Sequence, residues 1–585
     1  VNLLHKLIEH KNNPHNKMAV QYFKKGQLYS LNWEQVYDRV EAIYRALLDQ
    51  GIQKGDRVAL YSNTCKEWGF VDLAVMACGA VTVPLYHSSH PSEVEIILKE
   101  VEPKILFVQN ETLFKNIQKL DENLLENIKA ITFNDFSPQP ERLLRLKDFM
   151  SSPNNQQTLK EASEKIERDD LVTLIYTSGT SGRPKGVCLT HRQIMSATQD
   201  VFPLLGADAS DKTLTFLPLS HILGRMELWG HYYCGYTIGY AESIERIKSN
   251  LARIQPTVIV AVPRIFEKIF FGIKTQVEIS KLKQGLFQQA LRIGKKMAEL
   301  KQAKKTPSLL QSLEAQMAHQ LVFSNIQEKL GGRLRFAVSG GAPLDKDIAQ
   351  FFLACNIPIL EGYGLTETTG PVFVNTLFEN RPGYVGKQVG DVEIRMDNDG
   401  EILLKSDKVM TGYYKNDEAN AQAFTEDGFF RTGDIGVLDE DGFLQITDRK
   451  KDLIKTAGGK FIAPQKLQNL FSSDPLIQHI HIHGDKKKYI VALITLEEDR
   501  VRQLGKQYKL SSEDFGQLTR SSSIQKEARR AIARVNASLA SFETIKRFEI
   551  LDHSFSIESG ELTPSLKMKR KVIDEKYKDL IASMY

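Results

Sequence analysis

No cysteine framework is present. The five cysteines, Cys65, Cys78, Cys188, Cys234 and Cys355, are widely spaced and include no Cys-x-x-Cys, which argues against a disulfide scaffold or a cysteine zinc site and fits a reducing compartment. No apolar run reaches the roughly 18 residues that a spanning helix needs. Val1 to Lys17 is polar, rich in His and Asn, and lacks the basic-then-apolar layout of a signal peptide. These absences predict a cytoplasmic protein, with any membrane contact peripheral, at the inner membrane face. Internal repeats and low-complexity segments are also missing, so neither a solenoid nor an extended disordered chain is expected. A net charge of only +5 over 585 residues gives no reason to expect a nucleic-acid partner.

What is present describes an ordinary globular chain of more than one domain. Apolar residues make up 42% and charged residues 25%, and 585 residues exceed what a single core organises. The basic excess lies in the tail: Asp452 to Tyr585 holds 23 Lys and Arg against 17 Asp and Glu, while the preceding part holds 54 against 55. Such a tail suits an anionic ligand or a membrane surface, and equally a solvated helical face.

Helical and strand signals alternate through the first 450 residues, the mark of an α/β fold with largely parallel sheets. Asn32 is placed to cap a helix with Gln35 bonding back, and Val36, Val40, Ile43, Ala46 and Leu47 continue the helical stripe. Short apolar runs at Leu171–Tyr176, Val258–Val262 and Leu334–Val338 read as buried strands. The Lys-, Gln-, Leu- and Ala-rich stretch Val277 to Leu330, broken by Pro307, reads as two helices, a plain surface pair or an insertion for partners or membrane. From about Gly390 to Thr447, short strands with turns at Asp399-Gly400, Asp427-Gly428 and Asp441-Gly442 predict a small β subdomain.

Two segments carry the chemistry. Tyr176-Thr-Ser-Gly-Thr-Ser-Gly-Arg-Pro-Lys-Gly186 follows a strand with three glycines, four hydroxyl residues and Lys185, a composition whose backbone N–H groups and hydroxyls can wrap a polyphosphate. A P-loop is excluded, because Gly186 follows Lys185 where Ser or Thr is needed. Glu361-Gly-Tyr-Gly-Leu-Thr-Glu-Thr-Thr-Gly370 sets an aromatic between glycines, able to lie against a base, beside a hydroxyl and a carboxylate suited to phosphate and Mg²⁺.

Tyr176 to Val187 closely resembles the phosphate loop of adenylate-forming enzymes, the superfamily of acyl-CoA synthetases, adenylation domains and luciferases. The other motifs of that superfamily follow in order, so the resemblance covers nearly the whole chain, and it is closest to long-chain fatty acyl-CoA synthetases. It implies a large N-terminal adenylation domain, residues 1–450, of parallel-type sheets flanked by helices plus the small β subdomain. A hinge joins this to a small, mobile α+β C-terminal domain, residues 451–585.

The resemblance assigns Thr177, Ser178, Gly179, Thr180, Ser181, Gly182 and Lys185 to the phosphates. Gly340, Gly341 and Ala342 wall the adenine pocket near the carboxylate, Tyr363 and Gly364 face adenine, and Thr366 meets the α-phosphate. Glu367, with Thr177, serves magnesium. Arg431-Thr-Gly-Asp434 matches the ribose motif, so Asp434 and Arg449 take ribose, Lys451 is the pivot and Lys455 lies just beyond it. Lys567, in Leu562-Thr-Pro-Ser-Leu-Lys, matches the lysine that bridges carboxylate and α-phosphate; Leu566 stands where the commoner form has glycine. His221 is implied beside the carboxylate and Arg225 at the acyl gate, with Trp229 and Phe266 in the acyl tunnel or the core.

The implied activity is ATP-dependent conversion of a long-chain fatty acid to acyl-AMP, then transfer to the thiol of coenzyme A, giving acyl-CoA, AMP and pyrophosphate. A fatty acyl-AMP ligase loading a carrier protein, and a non-catalytic acyl or nucleotide sensor, are the alternatives. The implied partners are a fatty acid and coenzyme A, with a homodimer left open.

Overall fold

The first helix signal closes as the side chains dictate. Asn32 Oδ1 accepts from the Gln35 N–H at 2.8 Å and Gln35 Oε1 accepts from the Asn32 N–H at 3.0 Å, which satisfies two donors at the start of the helix Trp33–Asp49. Its apolar stripe, Val36, Val40, Ile43 and Leu47, is fully buried. The structure is a computed structural model that describes residues 1–15, 18–136, 143–151, 153–178, 183–278, 280–563 and 566–585.

Among the described residues two large sheets form, both with parallel centres; the nine-stranded one is antiparallel at both edges and the eight-stranded one at a single edge. In the nine-stranded sheet, Phe336–Ser339 lies between Val258–Ala261 and Ile359–Leu365, and Ile359–Leu365 turns back antiparallel against Gly370–Val374. In the eight-stranded sheet, Val81–Tyr86, Arg57–Ser62 and Ile105–Val108 run parallel, while Leu171–Ser178 pairs antiparallel with Pro184–Thr190. Thr177, Ser178 and Lys185 of the phosphate-type segment thus belong to this antiparallel pair. A separate four-stranded sheet holds Glu393–Met396, Glu401–Lys405, Phe430–Leu438 and Leu444–Arg449. The three glycines of its Asp-Gly turns, Gly400, Gly428 and Gly442, all have φ between 81° and 85°, a backbone region that favours glycine.

The chain beyond residue 451 builds its own core on the sheet Ile477–His483, Ile490–Leu496 and Ile545–Ile550, covered by the helices Glu498–Gln507 and Ser522–Asn536. This is the smaller α+β domain. The stretch expected as two helices is more broken than that: Lys281–Gln302 and Leu309–Ala318 are helical, a π-helical turn spans His319–Phe323, and Ser324–Lys329 resumes. Leu309, Leu310, Leu313, Met317 and Leu321 are all exposed there. Among the described residues, no helix is long and apolar enough to cross a membrane.

Candidate active site

This antiparallel pair, the Tyr363 turn and the β subdomain meet through side chains. Thr177 stands opposite Lys185 in the pair, and Lys185 Nζ lies 5.0 Å from the centre of the Tyr413 ring. The Tyr413 hydroxyl in turn donates to Glu367 Oε1 at 2.9 Å. Glu367 follows Thr366 in a short 3-10 turn at the end of Ile359–Leu365, and its carbonyl accepts from the Met410 N–H at 2.7 Å. Thr366 is buried. Gly364 has no substitute at this bend, since a Cβ there would collide with the Gly370 carbonyl.

Tyr363 is buried and its hydroxyl donates to Asp434 Oδ2 at 2.8 Å. Burial and the neighbouring Asp434 charge hold the Tyr363 pKa well above the ordinary value, so it is a neutral donor at any physiological pH. The other Asp434 oxygen lies 3.0 Å from Arg449 Nε. Lys450 is anchored as well: its Nζ reaches Asp399 at 2.6 Å and Glu401 at 2.8 Å, and its N–H donates to the Gly433 carbonyl. Lys451 is exposed, and the Asp452 N–H donates back to the Arg449 carbonyl at 3.0 Å. Lys455 belongs to the short pair Ile454–Lys455 and Phe461–Ile462, with its ammonium over the Phe461 ring at 5.4 Å.

The smaller domain delivers Lys567 into this cleft. Although Lys567 is exposed to solvent, cleft walls crowd its ammonium. That desolvation, with repulsion from Arg449, lowers its pKa to about 8 against the opposing pull of Asp434 and Glu367. A tight turn presents the lysine: the Lys567 N–H donates to the Thr563 hydroxyl at 3.0 Å and the Thr563 N–H to the Lys567 carbonyl at 2.7 Å. Leu566 adopts φ 62° in that turn, the left-handed conformation for which glycine is the usual choice.

His221 caps the helix Ile222–Cys234, its Nδ1 accepting from the Leu223 N–H at 3.2 Å. Burial, then the charge of Lys567, lowers its pKa to about 3. The ring is therefore neutral, and because Nδ1 accepts, Nε2 carries the proton. Gly340, Gly341 and Ala342 follow the strand Phe336–Ser339, and Gly341 turns the chain at φ 83°. Leu344 and Gly383 N–H groups tie that turn to the buried Glu361 carboxylate, whose pKa burial raises to about 7.

Arg225, implied at the acyl gate, is placed between two helices of the large domain. Arg225 is fully buried with Nη2 2.9 Å from Asp72 Oδ1. Its guanidinium sits 4.8 Å from the Trp68 ring and 4.9 Å from that of Trp229, also buried. A paired cation packed between two indoles joins the helices Lys66–Ala77 and Ile222–Cys234. Phe266 does line a cavity, an apolar one shared with Phe216, Ile265, Ile269 and Phe352.

Of the expected site residues, Thr177, Lys185, Tyr363, Gly364, Thr366, Glu367, Asp434, Arg449, Lys567 and His221 form one connected neighbourhood. Gly179, Thr180, Ser181 and Gly182 lie outside the described residues, as does the Ser178 side chain. Tyr413, which orients Glu367, is not among the residues singled out in the sequence, because its two-residue strand Gly412–Tyr413 shows no periodicity to read.

Comparison with known proteins agrees with this geometry. Residues 8–414 match the model of the AMP-binding enzyme family, and residues 451–585 match that of the AMP-binding enzyme C-terminal domain. The long-chain-fatty-acid–CoA ligase FadD15 of Mycobacterium bovis is 34% identical over 99% of this chain and 96% of its own length. Fatty acyl-CoA synthetase A of Dictyostelium discoideum is 30% identical over 96% of this chain and 86% of its own. Among solved structures, the adenylation domain of a carboxylate reductase from Mycobacterium chelonae superposes with a TM-score of 0.79 at 23% identity, covering 100% of this chain and 91% of that one. The anthranilate CoA ligase AuaEII in complex with anthranoyl-AMP gives 0.76 at 20% identity, covering 100% and 98%. With its cleft assembled from both matched regions, the chain belongs to the AMP-binding enzyme family.

Proposed function

We propose that this protein activates a long-chain fatty acid with ATP, forming acyl-AMP and pyrophosphate, and then transfers the acyl group to coenzyme A. The observation that carries this is the convergence of Lys567 on Glu367, Asp434, Arg449 and His221. A carboxylate lacks a leaving group; attack on the α-phosphate supplies one, AMP, and gathers negative charge that a positioned cation stabilises. In this reading Tyr363 and the turn at Gly340, Gly341 and Ala342 hold adenine, while Asp434 with Arg449 holds ribose. Thr177, Lys185 and Thr366 meet the phosphates, Lys567 bridges carboxylate and α-phosphate, and the His221 Nε2–H faces the acyl carboxylate. The small domain begins at Lys451 and pivots there, because Lys450 is still tied to the β subdomain. Lys455 travels with it.

The donor set at Glu367 fits Mg²⁺. One carboxylate oxygen is taken by Tyr413, while among the described residues the other accepts no hydrogen bond, and Mg²⁺ is habitually held by one or two carboxylates plus phosphate oxygens. When bound there, with Thr177 nearby, it would neutralise phosphate charge. The acyl tail enters beside Phe266, where the apolar cavity of about 20 Å³ has to widen to take it. Pyrophosphate release measured across acids of graded length tests the activity: release that rises toward long chains and is followed by coenzyme A-dependent thioester formation is expected. Release indifferent to the acid, or thioester formed only on a carrier protein, overturns it.

Membrane contact is assigned to the helix Leu309–Ala318 and the turn after it. Leu309, Leu310, Leu313, Met317 and Leu321 are exposed, and residues 277–330 hold nine Lys and Arg against four Glu, a pairing suited to an anionic bilayer, from which a long-chain acid would be drawn. Wild type should float with vesicles containing phosphatidylglycerol, and Leu309→Ser/Leu313→Ser/Met317→Ser should not. Equal flotation of both, or self-association in place of flotation, assigns the ridge to another role, a homodimer in the second case.

A further inference from the structure

The helix Pro263–Glu278 faces two ways at once. Ile265, Phe266 and Ile269 line the apolar cavity. From the first turn of the same helix, the Arg264 guanidinium reaches out of the large domain and pairs with Glu497, the residue preceding the helix Glu498–Gln507 in the smaller domain. Its other arm donates to Glu267 Oε2 at 3.2 Å. Burial raises the Glu267 pKa and Arg264 opposes that rise, so the guanidinium is shared between a carboxylate of its own helix and one across the domain boundary. The partners are part-buried, with side chains 23% and 27% exposed. Across the same boundary, His479 lies close enough for the Arg264 charge to help lower its pKa. Proline at the helix start fixes the backbone entry, which leaves little slack between the cavity face and the guanidinium.

We propose that Arg264 is a positioning residue that couples filling of the apolar cavity to seating of the smaller domain in the arrangement that delivers Lys567. A tail that fills the cavity pins Ile265, Phe266 and Ile269, and with them the first helical turn, so that Arg264 stands where Glu497 meets it. A short acid leaves that face unsupported, the pair forms less often, and Lys567 arrives less often. Chain length is thereby read twice, once in binding and once in domain closure. This rests on the reading that the cavity takes the acyl tail.

The test measures kcat for pyrophosphate release with hexadecanoate and with octanoate, in wild type, Arg264→Gln, Glu497→Gln and the double variant. With hexadecanoate each single variant should lose about fivefold, the scale of a part-exposed ion pair, and the double variant no more than either single one. With octanoate all four should agree within about twofold. Phe266→Ala, made alongside, should shift the chain-length profile on its own. Failure of Phe266→Ala to alter the profile overturns the acyl reading of the cavity. A shifted profile with Phe266→Ala, but equal losses on both acids for the glutamine variants or no loss at all, overturns the coupling while leaving that reading intact.

Discussion

The wall of the nucleotide cleft and the turn that carries Lys567 are built on opposite principles. Tyr363, Asp434 and Arg449 come from three separate strands or their ends, are 71 residues apart at the Tyr363–Asp434 bond, and hold one another by hydrogen bonds across a packed core. The Lys567 turn is held by bonds to Thr563, four residues away, and carries a leucine in a left-handed conformation on an exposed surface. Long-range bonds make the wall a fixed template. Local bonds let the turn keep its shape while its position changes with the domain that bears it. The wall is therefore suited to both half-reactions, since the adenylate is held in each, and the turn to the first alone.

Lys567→Ala gives the sharpest break. A unit charge at 4 Å is worth about 4 kcal/mol at an effective dielectric near 20, so pyrophosphate release should fall about a thousandfold. Thioester formation from preformed acyl-AMP should stay within about threefold. Equal losses in both steps would erase the contrast. Asp434→Asn removes the ionic bond to Arg449 and should weaken both steps together, raising the ATP KM and the acyl-AMP KM by about thirtyfold, the scale of a charged hydrogen bond; a loss confined to the first step would place Asp434 on the side of the turn.

Titration sharpens the contrast further. With its pKa lowered to about 8, Lys567 is protonated below that value and loses its charge as pH rises through it. The kcat/KM of pyrophosphate release should accordingly fall about tenfold per pH unit above this limb, a decline absent from thioester formation with preformed acyl-AMP and displaced upward in Lys567→Arg. Leu566→Gly is the mildest probe. Left-handed backbone costs a branched residue about 1–2 kcal/mol, and glycine loses about half of that gain to its greater freedom when unfolded, so calorimetry should show the smaller domain melting about 2–4 °C higher. A lower midpoint would mean that the Leu566 side chain is itself holding the turn.

Local features were legible in the sequence because their causes are local. The Asn32–Gln35 box, the three Asp-Gly turns and the strand Val258–Ala261 follow from residue chemistry within a few positions. The cleft residues were legible only through their motifs, since nothing in spacing alone brings Tyr363 to Asp434. The contacts that join distant elements were not legible at all. Arg225 drew attention only through the motif that it sits in; its partner Asp72 lies 153 positions away, and nothing in the sequence announced that pair. Tyr413 on Glu367 and Glu497 on Arg264 are of the same kind, products of the folded arrangement with no periodic trace.

The anchoring of Lys450 to Asp399, Glu401 and the Gly433 carbonyl has a mechanical consequence. In the proposed pivot, a joint fastened at Lys450 by both side chain and backbone would behave like a pin with little play, permitting rotation and almost no sliding. The radius from that pin to Lys567 would then be a property of the smaller domain alone. On that proposal the lysine would sweep one arc whatever acid lies in the cleft, and substrates would differ in how often it completes the sweep, not in where it lands.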